Sequence, residues 1–226
     1  MGRLLLIGNS RWHWAERSGQ GLQCWHGPAG EVVESPDLEA WAAVGSVPRG
    51  GAVASAPRVG LVDVPLQGLP PWLGIDRALV AWGAWRQQRQ AVLVADAGTA
   101  LSLTRVDPEG CFAGGLISAG VALQLRALAA ATAQLPAVSS VGGDPAQTES
   151  AWPSATAAAM DEGCRRAVAA AIAVAAASAE GAQLWLTGGD AERLLPLLQE
   201  QHLNPVHAPN LALEAMAALP LVGGCR

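Results

Sequence analysis

The chain has 226 residues, 51% of them hydrophobic, and a formal net charge of -5 at pH 7. That length suits one compact unit or two small lobes, and an acidic balance without any basic run excludes the electrostatic footprint of a nucleic-acid binder. All 14 basic residues are Arg, which excludes a P-loop and a lysine Schiff base.

Residues 4–15, LLLIGNSRWHWA, run apolar, turn on Gly8 and then alternate through Trp12 and Trp14, which predicts a strand, a tight turn and a second strand. Residues 22–25 add a third. Ser35-Pro36-Asp37 offers helix-start chemistry for residues 38–44, and 51–55 and 59–64 read as strands. After Leu69-Pro70-Pro71, the spacing of Leu79, Val80, Trp82 and Trp85 predicts a helix from Gly74-Ile75-Asp76-Arg77 to about Gln88. Residues 92–103, VLVADAGTALSL, then repeat the opening pattern. Setting Gly8 on Gly98 puts Asn9 on Thr99 and Leu6 opposite Asp96, as in two related lobes that each begin with a strand hairpin.

Residues 107–110 form a turn, and Gly114-Gly115 precedes a segment of helical spacing over 117–135. Polar, Pro-containing residues 142–153 read as a loop, and 156–179 as a long helix. Residues 184–186 predict a strand ending in Thr187-Gly188-Gly189-Asp190, with Asp190 capping a helix that carries Leu194, Leu195, Leu197 and Leu198 around Pro196. A strand at Val206 and a helix over 211–219 complete a pattern of strands then helices, twice over, which indicates α/β or α+β lobes packed side by side.

The uncharged stretch 167–179 falls short of the roughly 20 residues a membrane span needs, and its Ala-rich composition predicts a buried soluble helix. No signal peptide fits residues that reach Gly8-Asn9-Ser10-Arg11 so soon, so the expected location is the cytoplasm, with no membrane or nucleic-acid partner. Cys24, Cys111, Cys164 and Cys225 form no CxxC pair and the four His no HExxH. Reduced, buried thiols and no clustered metal site are the expectation.

Glycine after a strand lets the chain pass close to a ligand, and a following hydroxyl or amide can donate to phosphate oxygens. Gly8-Asn9-Ser10, Gly98-Thr99 and Thr187-Gly188-Gly189 are three such turns, read either as ordinary tight turns or, taken jointly, as a nucleotide cleft. Asp96 follows an apolar strand and must be hydrogen-bonded, cation-bound or open to a cleft, a backbone-capping role being the alternative. Asp76 opens a helix, where the common role is an N-cap.

Gly74-Ile75-Asp76-Arg77, Asp96-Ala97-Gly98-Thr99-Ala100, Gly114-Gly115-Leu116-Ile117 and Thr132-Ala133-Gln134-Leu135-Pro136, in that order, resemble the motifs of the type III pantothenate kinases. Thr156-Ala157-Ala158-Ala159-Met160-Asp161-Glu162-Gly163 and Leu186-Thr187-Gly188-Gly189-Asp190-Ala191 extend the resemblance over nearly the whole chain. It implies the fold of the acetate and sugar kinases, Hsp70 and actin. That fold is α/β, with two related ribonuclease H-like lobes, here 1–90 and 91–226, and a nucleotide cleft between them. The implied reaction is ATP-dependent phosphorylation of pantothenate, the first step of coenzyme A synthesis, by a homodimer.

Residue by residue, the resemblance makes Asp76 the proton acceptor for the pantothenate hydroxyl. Gly74, Ile75, Arg77 and Thr156 become pantothenate contacts, and Asp96 the ligand of a monovalent cation, K⁺ or NH₄⁺. Gly8, Asn9, Ser10, Thr99, Gly188 and Gly189 become nucleotide contacts, with Mg²⁺ as the nucleotide's metal. The chain departs from the family at Leu6, where an Asp usually helps hold the metal-nucleotide, at Thr104, often a carboxylate, and near Gln67, where a Tyr is usual and Trp72 is the nearest aromatic. Leu6 favours a non-catalytic relative that binds a ligand or partner in regulation. The retained Asp76, Arg77, Asp96, Thr99 and Thr156 favour the kinase.

Overall fold

The computed structural model describes residues 2–30, 32–138, 152–220 and 222. The loop read over 142–153 lies outside them except for Trp152 and Pro153, as does Cys225. The chain divides into two compact units. One holds Met1–Gln90, Val106–Ala113 and the segment from Asn210 onward; the other holds Ala91–Arg105 and Gly114–Pro209. This differs from a division at residue 90 in two segments, Val106–Ala113 and the C-terminal one, which go with the first unit.

The first unit carries a four-stranded sheet, β1 (Arg3–Ile7), β2 (Arg11–Ser18), β3 (Gly21–Pro28) and β4 (Leu38–Ala43), in the order β3-β2-β1-β4. The first three strands are antiparallel, while β4 runs parallel to β1. Alternation along β1 sends Leu5 and Ile7 into a core with Trp12, Val33, Trp41 and Val53. Helix α1 (Ile75–Gln88) packs on β4, and helix α5 (Leu211–Ala217) packs on β1, β2 and α1. A β-carbon at Gly83 would lie 2.9 Å from Ala215 Cβ and 3.1 Å from Leu211 Cδ1, so only glycine lets these two helices approach so closely.

The segment 38–44, expected as a helix, is strand β4. Ser35 Oγ donates to Asp37 Oδ1 at 2.9 Å and Leu38 N to Ser35 O at 3.0 Å, which closes a turn, and pairing to β1 then overrides local propensity. The strands expected at 51–55 and 59–64 are 3-10 turns, Gly51–Ala54 and Leu61–Asp63. Positive φ at Gly50 (80°) and Gly51 (68°) breaks the extended path, and Asp63 Oδ2 accepts from Gly60 N at 2.8 Å.

The second unit carries β5 (Val92–Ala97), β6 (Ala100–Val106), β7 (Phe112–Ala119), β8 (Gln183–Thr187) and β9 (Val206–His207), in the order β7-β6-β5-β8-β9. Its first four strands repeat the order of the first sheet, which bears out the repeat read from Gly8 and Gly98. Helices α2 (Val121–Ala131), α3 (Thr156–Ser178) and α4 (Ala191–Glu200) bury Leu125, Cys164, Val168, Ile172, Leu194 and Leu198 against Leu93, Leu101, Leu103, Leu184 and Leu186. Part of the helix expected over 117–135 is strand: β7 runs to Ala119, and Gly120 precedes a shorter helix. Asp190 stands at the N-cap of α4, but its side chain makes no capping hydrogen bond; its N–H donates to Ala97 O at 2.9 Å.

Cys164 is buried, whereas Cys24 and Cys111 are half-buried, and all three are free thiols. Among the described residues no helix is long and apolar enough to cross a membrane, and no group of three or more His, Cys, Asp or Glu could hold a metal ion.

Candidate active site

In the first unit, the turn from β1 to β2 is held by Gly8 N donating to Arg11 O at 3.0 Å. Asn9 and Ser10 are exposed at its tip. The turn rests on the end of β4. Val44 N and Gly45 N both donate to Ile7 O, and a β-carbon on Gly45 would come within 2.3 Å of Gly8 O. The same strand end faces α1, since a β-carbon on Gly74 would lie 3.7 Å from Val44 Cγ1. Residues 44 and 45 thus connect the first glycine turn to the Gly74-Ile75-Asp76-Arg77 segment within one unit.

Asp76 is not an N-cap. Gly74 occupies that position, and Asp76 is the second residue of α1. Its Oδ1 accepts from Arg77 N at 2.8 Å. A β-carbon on Gly74 would lie 2.5 Å from the same oxygen, so a side chain there would push the carboxylate from this position. Burial raises the Asp76 pKa above the usual carboxylate value, against the Arg77 N–H and the Arg77 charge, which both pull it down. A carboxylate so raised is a better proton acceptor near neutrality. Ile75 turns its side chain into the core, which leaves Asp76 and Arg77 to offer side-chain polar groups in this segment.

In the second unit, two glycine turns converge on Asp96. Register pairs Asp96 with Thr187 across β5 and β8. Gly188 has φ 94°, and a β-carbon there would lie 2.6 Å from Asp96 Oδ1 and 2.5 Å from Ala97 O. Gly98, in the turn between β5 and β6, would place one 4.0 Å from Asp96 Oδ1. That turn in turn rests on Gly120, where a β-carbon would meet Gly98 O at 2.0 Å, and Gly120 N donates to Thr99 O at 3.1 Å. Thr99 and Gly189 are exposed beside it. Thr156 is the exposed first residue of α3.

Leu6 lies one strand position before the first turn, in register with His13 and Ala42, and is 5% exposed. It offers no donor atom to a metal. Gly45 and Gly120 were not picked out by motif, yet both are places where one backbone touches another. For Gly45 a signal existed: it follows β4 as Gly188 follows β8.

The description of the family model matching residues 63–178 is type III pantothenate kinase. A type III pantothenate kinase of Synechococcus sp. (strain JA-3-3Ab) is 36% identical over 98% of this chain and 90% of its own length. One from Thermosynechococcus vestitus is 45% identical over 59% of this chain and 56% of its own. Among solved structures, a Campylobacter jejuni protein of the Baf family superposes with a TM-score of 0.61 at 18% identity, covering 95% of this chain and 94% of its own. The Acidaminococcus fermentans (R)-2-hydroxyglutaryl-CoA dehydratase component A does so at 0.54 and 13%, covering 97% and 96%. These two likenesses speak to the fold alone, an α/β chain of two lobes. With the sequence match running through both the Asp76 and Asp96 segments and, in one relative, through nearly the full length of both proteins, the chain belongs to the type III pantothenate kinase family.

Proposed function

We propose that this chain transfers the γ-phosphoryl group of ATP to the primary hydroxyl of pantothenate, with Asp76 taking the hydroxyl proton. Membership of the family makes it a pantothenate kinase acting in coenzyme A synthesis. The observation that carries the assignment of the base is the Asp76 carboxylate, raised by burial and kept in place by the absence of a side chain at Gly74. As the pantothenate oxygen bonds to the γ-phosphorus, the bond from that phosphorus to the β–γ bridging oxygen breaks, ADP leaves and the proton passes to Asp76. Arg77 and Thr156 are the proposed pantothenate contacts, and Gly8, Asn9, Ser10, Thr99, Gly188 and Gly189 the proposed nucleotide contacts.

Asp96 is the proposed ligand of a monovalent cation. Its carboxylate, the proposed donor, stands where the turns at Gly98 and Gly188 approach each other. The family implies MgATP, but the first turn does not supply the carboxylate that would reach its metal, because Leu6 is buried and apolar. The nucleotide itself would have to carry its metal at that turn. The expected result is phosphopantothenate, read by mass spectrometry, from pantothenate, ATP and a divalent cation. Its rate should depend on K⁺ or NH₄⁺ and lose that dependence in Asp96→Asn. No product with any of several metals and nucleotides would remove the kinase reading.

We extend the reading to a homodimer. The edge strand β7 exposes Leu116 and Ile117, and α2 exposes Leu123 and Leu128, an apolar surface of the kind that partners cover. Sedimentation equilibrium should give twice the chain mass, and Ile117→Asp should lower it to one.

A further inference from the structure

We infer that His13 is the cationic partner of a nucleotide phosphate at the first glycine turn, neutral in the free protein and protonated when the phosphate binds. The inference rests on the proposed role of that turn and adds a second, titratable charge to that of Arg11.

The chain has no Lys to reach a phosphate, and its first turn offers backbone amides and the side chains of Asn9, Ser10 and Arg11. His13 lies two residues into β2, with its backbone paired to Leu6, so both side chains are on one face of the sheet at the end that carries the turn. A β-carbon placed on Gly8 would lie 3.7 Å from His13 Nε2. The imidazole nitrogen therefore stands directly beside the glycine where backbone and phosphate would approach most closely. Leu6, the partner of His13 across the strand pair, is buried and uncharged and cannot neutralise a protonated imidazole. With Leu6 in place, the positive charge of His13 is left for an anion.

The surroundings keep that charge off until an anion arrives. Burial lowers the His13 pKa below 6.5, with His26 and then Arg11 adding to the effect. His26 is its direct partner across β2 and β3, ring centroids 5.9 Å apart. Of the elements packed on this face, β1 presents Leu6 and α5 carries one carboxylate, Glu214, which acts on Cys24. A phosphate oxygen beside Nε2 reverses the balance, because it favours the charged imidazolium and supplies a charge-assisted hydrogen bond. The complex then binds more protons than the free protein, and nucleotide affinity must rise as pH falls through the bound-state pKa.

The test is titration calorimetry with a non-hydrolysable ATP analogue and Mn²⁺ or Mg²⁺, at about pH 6 and about pH 8, in buffers of different ionisation enthalpy. Comparison with His13→Gln cancels protons taken up by the nucleotide itself. The parent should take up a fraction of a proton more than His13→Gln and bind roughly tenfold more tightly near pH 6, with little difference near pH 8. His26→Gln changes an exposed residue, keeps His13 and eases its depression, so it should take up fewer protons than the parent. If the parent binds nucleotide and proton uptake is the same in all three proteins, the inference about His13 fails while the nucleotide site stands. Net proton release in the parent relative to His13→Gln would overturn it equally. If the parent binds no nucleotide at all, the reading of the first turn fails, and this inference with it.

Discussion

Asp76→Asn should lower turnover by about 10²- to 10⁴-fold while leaving nucleotide affinity where it was. The substitution removes the proton acceptor but keeps an oxygen able to accept the Arg77 N–H, so the first turn of α1 should remain as built. Its effect on stability separates a catalytic role from a structural one. Burial raises the Asp76 pKa in the folded chain above its ordinary value of 3.8. A carboxyl raised on folding favours the folded state below the unfolded pKa, and that contribution is lost as pH rises through the folded pKa. At neutral pH the ionised Asp76 is therefore a burden on the fold, one that Asn does not carry. Thermal melts followed by circular dichroism should place the variant at or above the parent at pH 7. The two should converge as pH falls through the raised pKa toward the ordinary one. A variant that lost activity and also melted well below the parent would make Asp76 a structural residue, and the base would have to be sought elsewhere.

What the sequence made legible was mostly local. A strand that ends in glycine is a signal carried in a few residues, and the turns at Gly8, Gly98 and Gly188 are where that signal puts them, the first two leading into a strand and the third into a helix. The repeat was legible for the same reason, and the two sheets share their strand order. What was misread depends on partners far along the chain. Residues 38–43 carry helix-start chemistry before them, yet β1 offers a full parallel ladder, and that pairing decides the outcome. The C-terminal helix belongs with the first unit because Gly83 admits Leu211 and Ala215, a contact that no window of sequence contains. Gly45 and Gly120 escaped for a related reason: what makes each necessary is a carbonyl on another segment, close enough that any β-carbon would strike it. For the site, Asp96 stood out as a carboxylate at the end of an apolar strand, whereas Asp76 read as an ordinary cap and became a candidate base only through the family resemblance. The environments that would give them different roles, a buried helix start and the meeting of two glycine turns, needed the fold.

The second large effect expected is at Gly188, where Ala should both destabilise the second unit and abolish the response to K⁺. Two penalties act together. The backbone sits at φ 94°, in left-handed space that costs an L-residue about 1–2 kcal/mol. In addition, the new methyl would stand 2.5 Å from Ala97 O, 2.6 Å from Ala97 C and 2.6 Å from Asp96 Oδ1. The first two atoms are backbone of β5, which is held to β8 along its length, so relief has to come from displacing the Gly188 turn or parting the strands, with the Asp96 carboxylate moving as well. These movements take the Asp96 carboxylate from the place proposed for binding the monovalent cation. The neighbouring glycine provides the contrast, since a β-carbon on Gly189 would meet nothing within 4 Å. Urea unfolding should show a clearly lower midpoint for Gly188→Ala and one near the parent's for Gly189→Ala. Assays across a K⁺ titration should then find residual activity in Gly188→Ala that no longer rises with the cation. If Gly188→Ala keeps a normal K⁺ response, the cation is not bound beside Asp96, and the carboxylate there serves only to hold the two glycine turns together.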